Sequence, residues 1–366
     1  MSESKVSLED VVAGLRAEGL LSDEATERAA GVVETMHAVQ PWFIRAMVGF
    51  GAWLASLLLI GFVVGLSLAM EGGYIIIGLG MIAGAVILRK RFDTDFMVQC
   101  TLAASLAGQG LLIFGISEFK LSGNYDALLS TIVILSSVMF VIFPDRIHRV
   151  LSVMFATSAL TILLYVHELN AIVPVLGPAF AAVLIFLYKQ QPKFAANGAG
   201  ALVRPLMTGM MLSAFGFLLL SSIYLLPELG VDYAFYPRPW ISTLLLGALF
   251  LYLVTDVWSG LLEGRKKSAL PVIYGLLIVV IAAAWEAPGL LLALTVVTLG
   301  ASSGNRVFIG AGIAFLAVFL AAYFYGIQIT MLTKSITLVA TGTAVLFARW
   351  LILKVLARTE GGLASA

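Results

Sequence analysis

Charge is what this chain has least of. Asp, Glu, Lys and Arg make up 12% of its 366 residues, against 61% hydrophobic, and mean hydropathy is +1.03. A soluble domain carries about one quarter charged residues. So apolar a chain of this length reads as a polytopic membrane protein. Cysteine is nearly absent: Cys100 is the single one, which excludes an intrachain disulfide and a cysteine zinc cluster. The three histidines, His37, His148 and His167, are scattered and read as ordinary residues at or outside membrane surfaces. No Gly-rich phosphate loop ends in Lys-Ser or Lys-Thr, no His-Glu-x-x-His occurs, and no Asp-rich pair or basic stripe is present. The expectation is a non-enzymatic chain with no catalytic residue, metal, cofactor or nucleic-acid partner. Its opening Ser-Glu-Ser-Lys stays polar for some forty residues and does not read as a signal peptide.

The apolar runs also lack ionisable residues near their middles. Arg349 stands a few residues from the inner end of the last run and can snorkel to the headgroups, and Asp256 lies at a run's end. A proton relay along the spans is therefore disfavoured. A carrier of neutral or lipid-like molecules stays open.

Residues 1–41 read as a small cytoplasmic helical hairpin. Ser7 and Ser22 suit helix N-caps, each with acidic residues in the following turn, and Gly19 suits a stop between them. Eight acidic residues against three basic ones make this module acidic. From Trp42 to Ala366 the spacing predicts an all-α bundle of about 12 transmembrane spans, with halves at 42–188 and 206–358 and the Lys189–Pro205 loop between them. The expected spans are Ala46–Met70, Tyr74–Leu88, Phe96–Ile116, Ala127–Phe143, Val150–Val166, Ala171–Tyr188, Leu206–Leu226, Ile241–Thr255, Ala269–Trp285, Leu290–Ser302, Val307–Tyr325 and Ser335–Leu353. The second, eighth and tenth fall short of the ~20 residues that cross a bilayer.

Loop charge supports this count. With the N-terminus inside, the inner loops hold twelve basic residues and the outer loops three, Lys120, Arg238 and Lys334. Basic residues favour the side of synthesis, so both ends are expected in the cytoplasm. The outer turns hold seven acids, among them Glu118, Glu168 and Glu286. They read either as ordinary polar turn residues or as a shallow rim for a cation or a basic segment.

Two features stand out inside the runs. Gln109, in "SLAGQG", is the carboxamide placed deep in a span, among Ala104, Ser105, Ala107, Gly108 and Gly110. Small residues four apart let helices approach closely, and a glutamine there hydrogen-bonds across for about 0.6–2 kcal/mol. Its second reading is a substrate-contacting amide. Gly80 with Gly84, and Gly310 with Ala314, are expected to form two further close-packing faces. Pro174 and Pro178 flank Gly177 in "IVPVLGPAF" and are expected to kink or unwind that span, which is one way to build a binding site.

The runs "PWFIRAMVGFGAWLASLLLIGF" (41–62), "QCTLAASLAGQGLLIFGI" (99–116), "WEAPGLLLALTVVTLGASSGNRVFIGAGI" (285–313) and "YFYGIQITMLTKSITLVATG" (323–342) together resemble a bacterial inner-membrane family, domain-of-unknown-function family 4401. The resemblance covers most of the chain in the right order. It implies an inner-membrane location and a partner, a small membrane-anchored protein with a GDYXXLXY motif. It also draws attention to Lys334, beside Tyr323, Phe324 and Tyr325. The expected function is a scaffold or assembly partner in the lipid bilayer; the alternative is a secondary transporter or flippase for a neutral or amphipathic substrate. An intramembrane enzyme would need Glu118, Glu168, Glu286 and Lys334 to converge.

Overall fold

The computed structural model describes residues 73–92, 94–120, 125–223, 238–261 and 270–326, with isolated positions between 47 and 65 and between 332 and 343. The acidic hairpin module, most of the first and last expected spans, and Lys334 lie outside the described residues. Among the described residues ten helices run in sequence: α1 (Tyr74–Arg91), α2 (Asp95–Lys120), α3 (Tyr125–Ile142), α4 (Arg146–Val166), α5 (Val173–Ala196), α6 (Gly200–Ile223), α7 (Pro239–Leu261), α8 (Leu270–Ala283), α9 (Pro288–Ser303) and α10 (Arg306–Gly326). They correspond one for one to the ten middle apolar runs, and no strand occurs among the described residues. Seven of them are long and apolar enough to cross a membrane: α2 to α7 and α10.

The chain divides into two compact units, residues 1–73 with 77–108, and residues 74–76 with 109–366. In the first, α1 and the early part of α2 meet at the small residues anticipated from sequence. A Cβ added to Gly108 would lie 2.8 Å from the Gly78 carbonyl and 3.0 Å from Ile82. The expected face at Gly80 and Gly84 does not form among the described residues, because a Cβ at either meets nothing within 4 Å. Gly78 lies about 200° around the helix from Gly80, so the contact uses the other face of α1.

In the second unit α3 packs on α4, α4 on α6, α5 on α6, α7 on α5 and α9, and α10 on α9 and α6. Leu184, Leu218, Leu246, Leu291 and Val296 are fully buried where α5, α6, α7 and α9 converge. Phe215 of α6 stacks on Phe315 of α10 with centroids 4.0 Å apart. Facing outward, Ile134 is 63% and Ile313 55% exposed. A helix apolar on its outer side as well as its inner side suits hydrocarbon rather than water.

Tight turns set the order. α5 ends at Asn197, Gly198 takes φ +73°, and the Ala199 amide reaches the Phe194 carbonyl at 2.9 Å. This Schellman stop suits glycine and leaves three residues between α5 and α6. The stretch Lys189–Pro205, expected as a boundary loop, is therefore mostly helix, and α5 and α6 are packed neighbours. α9 and α10 join through Gly304 at φ +67° and Asn305, whose Oδ1 accepts the Val307 amide at 3.1 Å. The close approach of α10 to α9 uses Gly312, where a Cβ would lie 2.7 Å from Val297, and not Gly310, which faces open space among the described residues.

Four of the prolines are handled by neighbours. A proline removes the N–H that would satisfy the carbonyl four residues earlier. Pro178 so frees the Pro174 carbonyl, which accepts the Ser242 hydroxyl of α7. Pro144 frees Phe140 and Pro205 frees Ala201; Arg149 donates to both, Nε to Phe140 at 3.1 Å and Nη1 to Ala201 at 3.1 Å. Pro288 frees Ala284, which accepts Thr243 Oγ1 at 3.2 Å as well as the Ala287 amide at 2.8 Å. Of the kink or unwinding expected at Pro174 and Pro178, the unwinding does not occur: the run is helical throughout. Pro174 sits in the first turn of α5, where no N–H is needed, and Ser242 supplies what Pro178 removes.

Candidate functional site

The polar residues of an apolar bundle are the place to look for function, and in the second unit they meet at Gln109. Its Nε2 lies 3.0 Å from His148 Nε2. On the far side of the imidazole, Nδ1 lies 3.2 Å from Ser152 Oγ. With the carboxamide donating, His148 Nε2 accepts, and the ring proton sits on Nδ1 and points at Ser152. Phe143 stacks on the imidazole at 4.2 Å. Gln109 is 5% exposed, Ser152 2% and His148 fully buried.

Local sequence explains how the ring arrives there. "FPDRIH" turns α3 into α4, and Asp145 caps α4 by accepting the His148 amide at 2.9 Å. This places His148 in the first helical turn, with Ser152 one turn on, on the same face. Gln109 meets the beginning of α4, so the interhelical bond anticipated for it forms at a helix end. His148 is no surface histidine: its burial is complete. A histidine four residues before a serine was legible as a pair along one helix face; its partner across the bundle was not.

A second polar contact joins α4 to α6, where Thr157 Oγ1 and Ser213 Oγ stand 2.7 Å apart. Beside it a Cβ on Gly209 would fall 2.6 Å from Val153. On α5 and α7, Lys189 Nζ reaches Asp256 Oδ1 at 2.7 Å and the Tyr252 hydroxyl at 2.8 Å. Both charges are partly exposed, so the pair is a surface link worth under about 1 kcal/mol.

Pro174, Pro178, Glu168 and Glu286 do not gather around Gln109, and Lys334 lies outside the described residues. Pro174 and Pro178 are buried in α5. Glu168 is exposed in the α4–α5 turn at φ +57°, its amide donating to the Tyr165 carbonyl at 3.0 Å. Glu286 is exposed in the α8–α9 turn. Glu118 belongs to the last turn of α2, and its side chain lies outside the described residues. At the C-cap of α4, His167 Nε2 approaches Asp126 Oδ1 in the first turn of α3 at 3.4 Å, both about half exposed. No group of three metal-ligating side chains occurs among the described residues.

Chemically, Gln109, His148 and Ser152 hydrogen-bond to one another, and Ser242, Thr243 and Arg149 bond to backbone carbonyls. The arrangement fixes helices against each other. All-helical, with seven helices fit to cross a bilayer among its described residues, the chain is of the membrane-embedded class. It belongs to the family described as Domain of unknown function (DUF4401), whose model matches residues 41–355. No curated protein and no solved structure matches it.

Proposed function

We propose that this chain is a non-enzymatic scaffold or assembly partner of the bacterial inner membrane, with both termini in the cytoplasm. The carrying observation is how its polar groups are used. Gln109, the residue placed to contact a substrate, bonds to His148. The broken-helix position at Pro178, the other candidate for a binding site, is closed by Ser242. These groups hold helices together, which is what a platform for another membrane protein needs. The family resemblance suggests as that other protein a small membrane-anchored one carrying GDYXXLXY.

The test is co-expression of the two full-length proteins, site-specific crosslinking in native membranes, and purification under mild detergent. A defined crosslinked pair at constant stoichiometry is expected. Absence of any crosslink, together with a solute flux that follows the chain into liposomes, would replace this reading with the transporter.

A further inference from the structure

At one end of the second unit, exposed cations accumulate with no carboxylate paired to them among the described residues. The register of α4 and α6 is fixed by Val153 against Gly209. Four residues earlier on each helix stand Arg149 and Pro205, and the Arg149 Nη1 bond to Ala201 agrees with that alignment. Arg146 lies one turn before Arg149, and Arg204 directly precedes Pro205. α5 reaches the same end antiparallel to α6 through the turn Asn197–Ala199, which brings Lys193 to the same layer. Arg146, Lys193 and Arg204 are all exposed. No carboxylate stands within ion-pair distance of these three among the described residues. The nearest acid in sequence, Asp145, is buried and caps α4. One turn deeper, Lys189 is already matched by Asp256.

Apolar side chains border this layer. Val141 and Ile142 at the end of α3 are 63% and 45% exposed, and Ile147, next to Arg146, is 52% exposed. Exposed cations, edged by exposed hydrocarbon, suit a ligand with both an anion and fatty chains. We propose that this end of the bundle binds anionic phospholipid, with Arg146, Lys193 and Arg204 holding the headgroup phosphate and Val141, Ile142 and Ile147 lying against the acyl chains. The inference rests on the membrane reading of the chain and not on its role as a scaffold.

The full chain is placed in nanodiscs of mixed phosphatidylglycerol and phosphatidylcholine, transferred to detergent, and its retained lipid weighed by native mass spectrometry. Enrichment of phosphatidylglycerol over the bulk ratio is expected. It should fall on the order of fivefold for each of R146Q, K193Q and R204Q at low salt, and shrink as salt rises. R146K and R204K, which keep the charge, should retain the enrichment. Because each altered side chain is exposed, the single variants remain testable if the triple variant fails to fold. Glycerol phosphate, the same anion without chains, should not displace the lipid at equal concentration. Enrichment unchanged in all three Gln variants, no enrichment in the parent, or equal displacement by glycerol phosphate would overturn the proposal.

Discussion

Ser242→Ala should be costly when residue 178 is proline and nearly harmless when it is alanine. The Pro174 carbonyl is buried in the bundle and lacks the helical donor that Pro178 cannot provide. Ser242, itself fully buried, supplies the bond from α7. Removing the hydroxyl strands that carbonyl away from water, which costs about 1–3 kcal/mol. Interhelical side-chain bonds in membranes average nearer 0.6 kcal/mol, because the unfolded chain also finds partners; the stranded carbonyl takes the expectation to about 1–2 kcal/mol. Pro178→Ala restores an N–H to the helix ladder. In that background the Ser242 hydroxyl becomes redundant, and its removal should cost under about 0.5 kcal/mol. The coupling in the double-mutant cycle is therefore about 1 kcal/mol. The packing lost with the proline ring appears on both sides of the cycle and cancels. Reversible unfolding in mixed micelles, followed by helical circular dichroism, measures all four corners. Equal costs for Ser242→Ala in the two backgrounds would refute the claim that this serine exists to complete a proline-interrupted helix.

Three further outcomes follow from the same contacts. Gln109→Leu should destabilise the bundle by about 1–3 kcal/mol; Gln109→Leu with His148→Phe should cost less than the two singles added, and strict additivity in micelle unfolding would count against the pair. Gly209→Val should lower thermal stability sharply, because a Cβ there falls 2.6 Å from Val153, and Val153→Ala should recover part of the loss; a neutral Gly209→Val would show that α4 and α6 do not approach as described. For orientation, with Cys100 replaced, a cysteine at Lys193 should react with impermeant maleimide only in inside-out vesicles and one at Trp240 only in right-side-out cells; the reverse pattern would invert the topology.

Helix placement was legible because each apolar run ends in residues that stop helices. Gly198, Gly304 and the Pro144–Asp145 pair mark three of the turns, and charge clusters mark others. What the runs hid was pairing. Gly80 with Gly84 has the same spacing as Ala104 with Gly108, and spacing along one helix does not say which face meets a neighbour. Gly108 packs on α1 while Gly80 does not. Gln109 was recognisable as an interhelical donor, but its acceptor is thirty-nine residues on. His148 looked superficial because it follows a charged turn, and only the cap at Asp145 and the stack on Phe143 explain how it turns inward. The Lys189–Asp256 pair is hidden in the sequence because its halves stand sixty-seven residues apart.

Four of the prolines show how this bundle is held together. A backbone carbonyl that has lost its helical donor needs another partner, most of all where water is scarce. Four such carbonyls, on Phe140, Pro174, Ala201 and Ala284, are answered by Arg149, Ser242 and Thr243. Each answer ties an interrupted segment to another part of the bundle. Arg149 joins the end of α3 and the start of α6 to α4; Ser242 joins α5 to α7; Thr243 joins the α8–α9 turn to α7. A helix broken to receive a substrate would leave its freed carbonyls facing a cavity. The four carbonyls here are docking points between elements of the bundle, so these interruptions tighten its packing.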